Sequence, residues 1–189
     1  MKSEKIYLTK DEAFRHVRRW IRDEDCYPLT FMGFSGDYAE PGEVEEVIRA
    51  TLREKREIWG EDLIVCCGAT TPGIGMVYDI AVEEGYQTMG IVSSKATEAG
   101  ATTFHPACRF TFIIEDDKWG GRDSLTSEIM ALTAEEVIKI GGGPISEYEA
   151  GRARDLGLPV FEFPASAAGM DEKRTREEGF RMDRPVKLA

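Results

Sequence analysis

Two glycine-rich stretches have the composition to hold an anion: Gly68-Ala69-Thr70-Thr71-Pro72-Gly73 and Gly141-Gly142-Gly143-Pro144-Ile145-Ser146. Each follows a short apolar run and leads into a segment of helical periodicity. A glycine-rich turn feeding a helix leaves backbone N–H groups unpaired and aims the positive end of the helix dipole at whatever lies in front of them. A phosphate is the natural guest. The candidate binding residues are therefore Gly68, Thr70, Thr71 and Gly73 in the first stretch and Gly141, Gly142, Gly143 and Ser146 in the second. Glycine after a buried strand also serves simply to close a tight turn. Two such loops at neighbouring strand ends make binding the stronger reading.

Other residues of chemical interest divide the same way. Glu115-Asp116-Asp117 follows an apolar run and has the ligands for Mg²⁺ or ribose hydroxyls, yet an acidic run at a strand end is more often a solvated turn; Asp116 is the one expected to point inward. His105 falls in the long stretch from Lys95 to Ala107, a potential lid, and is expected to be a lone surface histidine. Arg15, Arg18, Arg19 and Arg22 crowd one segment among acids and are expected to face water. Cys66 and Cys67 are adjacent within an apolar run, so they point to opposite faces of a strand and seldom pair. With two histidines in all and no metal-type spacing around Cys26 or Cys108, no metal site is expected, and a Cys–His nucleophilic pair is disfavoured. The partial pattern Gly73-Ile74-Gly75 lacks the third glycine of a dinucleotide fingerprint, and no Gly-Lys-Ser/Thr triplet is present, which excludes a P-loop triphosphatase.

The elements that must position these loops follow from hydrophobic periodicity. Residues 29–36, 63–67, 87–93, 108–114, 137–140 and 159–163 are short β-type runs. Between them, Val44, Val47, Ile48 and Leu52 recur at helical spacing after Pro41. Residues 74–84 form a helix stopped by Gly85, Leu125, Ile129 and Leu132 mark another, and residues 146–156 a last one. Strands alternating with helices imply βαβ crossovers, and so an α/β fold: a doubly wound, mostly parallel, Rossmann-like sheet with helices on both faces. In such a sheet ligands bind beyond the carboxyl ends of the strands, where both glycine stretches fall. Residues 1–28 are expected to be an N-terminal helical extension, with a capping-box spacing at Thr9-Lys10-Asp11-Glu12 and a stripe of Phe14, Val17 and Ile21. Residues 29–165 make the Rossmann-like nucleotide-binding domain. Residues 166–189 form a charged C-terminal tail, either a solvated helix or an arm to a partner subunit.

Composition sets outer limits. The 189 residues carry 24 Lys+Arg against 35 Asp+Glu, a net charge of −11, which argues against a broad nucleic-acid binder. The longest strongly apolar run, around Leu63 to Cys67, is far short of the roughly 20 residues needed to span a bilayer, so no membrane association is expected. The N-terminus leads to no apolar signal core, and the cysteine usage agrees with a cytoplasmic location.

Gly142-Gly143-Pro144-Ile145-Ser146-Glu147-Tyr148-Glu149 resembles the Gly-Gly-x-Gly-Thr-x-x-Glu motif of the LOG (Lonely Guy) phosphoribohydrolases, long misnamed lysine decarboxylases, within the SLOG superfamily. Gly68 to Met76, followed by Ala81, Gly85 and Gly90, is similar to that family's first glycine loop and helix, and the resemblance covers roughly residues 29–164. The departures are specific. Ile145 stands where the motif has glycine, Ser146 replaces threonine but keeps the hydroxyl, and Gly68-Ala69-Thr70 replaces a glycine triplet. The nearest counterpart of the family's catalytic arginine is Arg122, without its lysine neighbour and at a longer spacing. The resemblance implies a nucleoside 5′-monophosphate whose phosphate lies on the N–H groups of Gly142, Gly143 and Ser146, with Gly68 to Gly73 on the other side; Ser35 and Asp37, by their place after the first strand, are candidates to touch ribose or base. It implies catalytic roles for Glu149 and Arg122 in cleaving the bond between base and ribose, chemistry that a fixed carboxylate serves by stabilising charge on the sugar. Ser146 and Glu149 also have the spacing of a capping box, a purely structural alternative. A non-catalytic nucleotide or cofactor carrier of the same superfamily is the other reading. No cofactor is implied, and the partners expected are a small phosphorylated ligand and further copies of the chain, as a homodimer or larger.

Overall fold

Leu63–Cys67 shows how the sheet is built. Side chains alternate along a strand, so Leu63, Val65 and Cys67 enter one apolar cluster while Ile64 and Cys66 enter another on the opposite face. All five are buried, which requires cover on both sides. The computed structural model, which describes residues 3–98 and 101–169, provides it. Among the described residues seven strands form one parallel sheet: β1 (Glu4–Leu8), β2 (Tyr27–Gly33), β3 (Leu63–Cys67), β4 (Gln87–Ser93), β5 (Phe110–Ile114), β6 (Glu136–Ile140) and β7 (Val160–Phe163), in the order β1-β5-β4-β3-β2-β6-β7. Helices α2 (Pro41–Trp59) and α3 (Val77–Glu83) cover one face with Val44, Ile48, Leu52 and Val77. Helices α1 (Ala13–Asp23), α4 (Leu125–Thr133) and α5 (Pro144–Asp155) cover the other with Val17, Ile129 and Ala150. The fold is the doubly wound, Rossmann-like α/β arrangement expected.

Local chemistry sets the helix ends. Pro41 and Pro144 sit in the first turns of α2 and α5, where a missing N–H is harmless. Gly85, at φ +86°, ends α3: its N–H donates to Val82 O and the next N–H, of Tyr86, to Ala81 O.

The chain order places the site. From β2 the chain winds through β3, β4 and β5 toward one edge, then returns to lay β6 on the other side of β2. Gly33 and Ile140 are register partners at the carboxyl ends of β2 and β6, and the helices that follow these strands cover opposite faces. The crevice between them is the topological switch point.

The N-terminal segment holds more than a helix. Glu4–Leu8 is an edge strand, paired with β5 from Glu4↔Phe110 to Leu8↔Ile114. Ile6 and Leu8 join the apolar cluster while Tyr7 stays exposed, an alternation masked in sequence by the Glu and Lys beside it. Half of the expected capping box forms: Thr9 N–H donates to Glu12 Oε1 at 3.4 Å, and α1 begins directly after Glu12. At the other end, Tyr38 and Ala167 form an antiparallel bridge, flanked by Ala39 N–H to Ser166 O and Ala168 N–H to Asp37 O. The charged stretch from Asp171 onward lies outside the described residues.

Candidate ligand-binding site

A cavity of 560 Å³ opens at the carboxyl ends of the central strands, within the size range of small-molecule sites. Its wall takes Gly33 and Ser35 from the end of β2, Gly68 and Thr70 after β3, and Ser93 from β4. Across from them stand Thr126 and Met130 of α4 and Gly143 to Ser146 and Glu149 of α5. Tyr38 braces the opening: its hydroxyl donates to Ile140 O at 2.9 Å and accepts from Phe34 N–H at 3.3 Å, so one side chain ties the ends of β2 and β6 together.

The second glycine stretch divides its labour. Gly141 N–H donates to Phe163 O and so belongs to the sheet. Gly142, at φ +115°, has no room for a side chain, because a Cβ there would stand 2.0 Å from Ser146 Oγ. Gly143 caps α5 and accepts the Glu147 N–H at 3.0 Å, the first bond of that helix. The N–H groups of Ile145 and Ser146 precede that bond and have no acceptor within the helix. Ser146 Oγ donates to Gly143 O at 2.9 Å, and Glu149 reaches away from the helix start, so the capping box that their spacing allows does not form.

Glu149 is a buried carboxyl on the cavity wall. Its Oε1 accepts from Ser127 Oγ at 2.6 Å. Burial pushes it up to about 7, against a smaller downward pull from the Ser127 hydroxyl. A carboxyl near neutrality can give or take a proton at physiological pH. Cys67, also on the wall, is an inert thiol, since burial raises it to about 12.

The first glycine stretch supplies Gly68 and Thr70 to the wall. Gly73, at φ +63°, lies beneath the β2 loop: a Cβ there would meet Phe34 O at 2.1 Å, and Ile74 N–H donates to Phe34 O at 2.9 Å. Thr71 turns outward and donates from Oγ1 to Thr103 O at 2.9 Å. Gly73 and Thr71 thus shape the loop without lining the cavity.

Six of the sequence candidates share the cavity: Ser35, Gly68, Thr70, Gly143, Ser146 and Glu149. Asp37 is exposed and outside it, and so is Arg122, whose carbonyl accepts from Lys118 Nζ. Asp116 does point inward, but into a knot of its own with Ser124 Oγ, Thr126 Oγ1, Thr126 N–H and Lys118 N–H. Burial raises that carboxyl, and the four donors outweigh it and hold it below its ordinary value. His105 is buried rather than on the surface: its N–H donates to Ala69 O, Nδ1 accepts from Ala107 N–H, and Nε2 stands 3.5 Å from Asp79. Desolvation lowers its pKa, Asp79 opposing, so it is a neutral strut beneath the first glycine loop.

Sequence reasoning missed Trp119 and Thr126, both on the wall, and Ser127, which holds Glu149. Ser127 carries no sequence signal for this role, since its partner lies 22 residues away. Among the described residues the wall carries no lysine or arginine, no group of three or more His, Cys, Asp or Glu is placed to hold a metal, and no helix is long and apolar enough to cross a membrane.

No protein-family model matches this chain, and no curated protein does. Solved structures do share its fold. The structural-genomics target TM1055 is 20% identical with a TM-score of 0.53, over 71% of this chain and 72% of that one. The molybdenum cofactor carrier protein MCP from Chlamydomonas reinhardtii is 19% identical with a TM-score of 0.54, over 82% of this chain and 86% of that one. At these identities what the chain shares with both is the fold, a Rossmann-like α/β arrangement.

Proposed function

We propose that the cavity binds a nucleotide, with a nucleoside 5′-monophosphate as the simplest member of the class, or a related phosphorylated cofactor, in the manner of a carrier or sensor. One observation carries this reading: the first turn of α5, with the N–H groups of Ile145 and Ser146 free of helical acceptors, opens into a cavity at the switch point of the sheet. The phosphate rests on the amides that open onto the cavity at the start of α5, those of Gly143, Ile145 and Ser146. With no cationic side chain among the described wall residues, these amides and the helix dipole supply the positive potential. The carrier named among the fold neighbours is consistent with a bound small molecule. Thermal unfolding with AMP, CMP, GMP and UMP tests the proposal. Ligand at 100 times its Kd adds roughly 2.7 kcal/mol of stability, and the absence of any shift with all four refutes nucleotide binding.

Cleavage of the N-glycosidic bond to free base and ribose 5-phosphate is the second reading, favoured by Glu149 alone. Its carboxyl lies on the same wall and titrates near neutrality, as a general acid or base should. The arginine that the family resemblance pairs with it, Arg122, is exposed outside the cavity, which favours binding without turnover. Chromatography of AMP incubated with the protein for hours distinguishes the two: release of adenine, abolished by Glu149→Gln, establishes hydrolysis. A homo-oligomer in a reducing, cytoplasmic setting completes the proposal, in keeping with four unpaired cysteines, and sedimentation velocity tests the assembly.

A further inference from the structure

Trp119 is half exposed, at 50%, yet it lines the cavity. The other two tryptophans are engaged elsewhere: Trp20 packs on Phe110 and Phe112, and Trp59 stacks on Tyr27 and donates to Glu136. A large indole left open to water in a surface loop is ordinarily mobile, and here both flanks are pinned. On one side, Lys118 N–H donates to the buried Asp116 at 3.1 Å. On the other, Gly121 N–H donates to Ser127 Oγ at 2.7 Å, the same hydroxyl that binds Glu149. Between them the backbone at Gly120 lies directly on Ile145, where a Cβ would stand 2.8 Å from Ile145 Cγ2. Ile145 is the residue that replaces the motif glycine, and it is itself on the cavity wall, 41% exposed. The departure from the motif thus builds a prop for the loop that carries the indole.

We propose that Trp119, carried on a pinned loop, is an aromatic platform on which the planar heterocycle of the ligand stacks, so that the site selects a nucleobase-bearing compound over a bare sugar phosphate. The inference rests on the nucleotide-binding reading and names what the ligand must carry besides its phosphate. A ring carried on a pinned backbone loses less freedom on stacking than one on a mobile loop, and every base offers a π-face to it.

The test uses the full chain with AMP, adenosine and ribose 5-phosphate, following tryptophan fluorescence and calorimetry together. AMP is expected to quench emission and to bind at least about tenfold tighter than ribose 5-phosphate, which leaves emission unchanged. Trp119→Ala is expected to abolish the quench and weaken AMP about tenfold without altering ribose 5-phosphate binding, while Trp119→Phe retains most of the affinity. The side chain is exposed, so both variants should unfold at the wild-type temperature. If AMP and ribose 5-phosphate bind alike and Trp119→Ala changes neither, the platform is overturned and the phosphate site stands. If adenosine quenches Trp119 as AMP does and ribose 5-phosphate does not bind, the platform stands and the phosphate reading falls. If none of the three binds, both are overturned.

Discussion

Ser127 Oγ donates to Glu149 Oε1 at 2.6 Å while accepting Gly121 N–H at 2.7 Å, so one hydroxyl joins the first turn of α4, the body of α5 and the loop between β5 and α4. The carboxyl it holds is raised from 4.5 to about 7 by burial. Below 4.5 both folded and unfolded chains hold the proton. Between 4.5 and about 7 only the folded chain holds it, so stability falls as pH rises through that window and stays reduced above it. At 1.36 kcal/mol per pKa unit the loss is about 3 kcal/mol. Glu149→Gln, which keeps an acceptor for Ser127, is expected to match the wild type near the bottom of the window and to exceed it by about 2–3 kcal/mol above the top. Denaturant unfolding at both ends of the window checks this; an unchanged pH slope in the variant contradicts it. Asp116, held low, acts in the opposite sense and only in more acid solution, outside this window.

Removing the hydroxyl itself has two consequences of different kinds. Ser127→Ala leaves Gly121 N–H without its buried acceptor, at a cost of about 1–3 kcal/mol. It also deletes the one contact that pulls the Glu149 carboxyl down, so the midpoint of its titration should move above the wild-type value. Carbonyl infrared spectroscopy of the Glu149 carboxylic acid against pH reads that midpoint directly. A midpoint below the wild-type value would mean that Ser127 does not act on Glu149 as its geometry indicates.

The second glycine stretch offers a paired test of shape against ligand contact. At Gly142 a methyl group meets both a positive φ of 115° and Ser146 Oγ at 2.0 Å, whereas around Gly143 nothing lies within 4 Å. Gly142→Ala should lower stability by about 1–3 kcal/mol, the usual cost of a non-glycine residue forced into such backbone. Gly143→Ala should leave stability within about 1 kcal/mol and, on the proposed nucleotide-binding reading, reduce AMP binding by placing a methyl group on the cavity wall. Equal unfolding temperatures for the two variants would show that the turn is slack.

The strands legible in the sequence are those buried on both faces. Leu63–Cys67 is a continuous apolar run, and Gln87–Ser93 and Glu136–Ile140 carry apolar residues on both faces, because helices cover each side. Glu4–Leu8 was not legible, because an edge strand shows only one apolar face and Lys5 and Tyr7 occupy the other. The site was legible where it depends on backbone: glycine before a helix start marks Gly68 and Gly143 wherever they fold. It was not legible where it depends on distant side chains meeting. Glu149 needs Ser127 from another helix, and Trp119 needs Ile145 beneath its loop, contacts that no local spacing encodes. Arg122 shows the converse, a residue of the right type near the right motif whose loop turns it to water.

The first glycine loop depends on a hydroxyl outside the cavity. Ala69 holds a positive φ of 58°, which disfavours any residue with a Cβ, and it is fully buried. Tyr78 on α3 compensates: its hydroxyl accepts Ala69 N–H at 3.0 Å and donates to Met89 O at 3.1 Å, clamping the loop to β4. The space for that ring exists because position 90 is glycine, where a Cβ would stand 2.8 Å from the Tyr78 hydroxyl. Tyr78→Phe keeps the ring and removes both hydrogen bonds, leaving a strained, buried N–H unpaired, and should cost about 1–3 kcal/mol. Because Ala69 O also accepts the His105 N–H, the loss should spread along the loop: amide exchange at Ala69 and His105 should accelerate well beyond that at strand β6. Uniform acceleration across the sheet would instead mean that Tyr78 supports global stability and does not specifically hold the loop that forms one wall of the cavity.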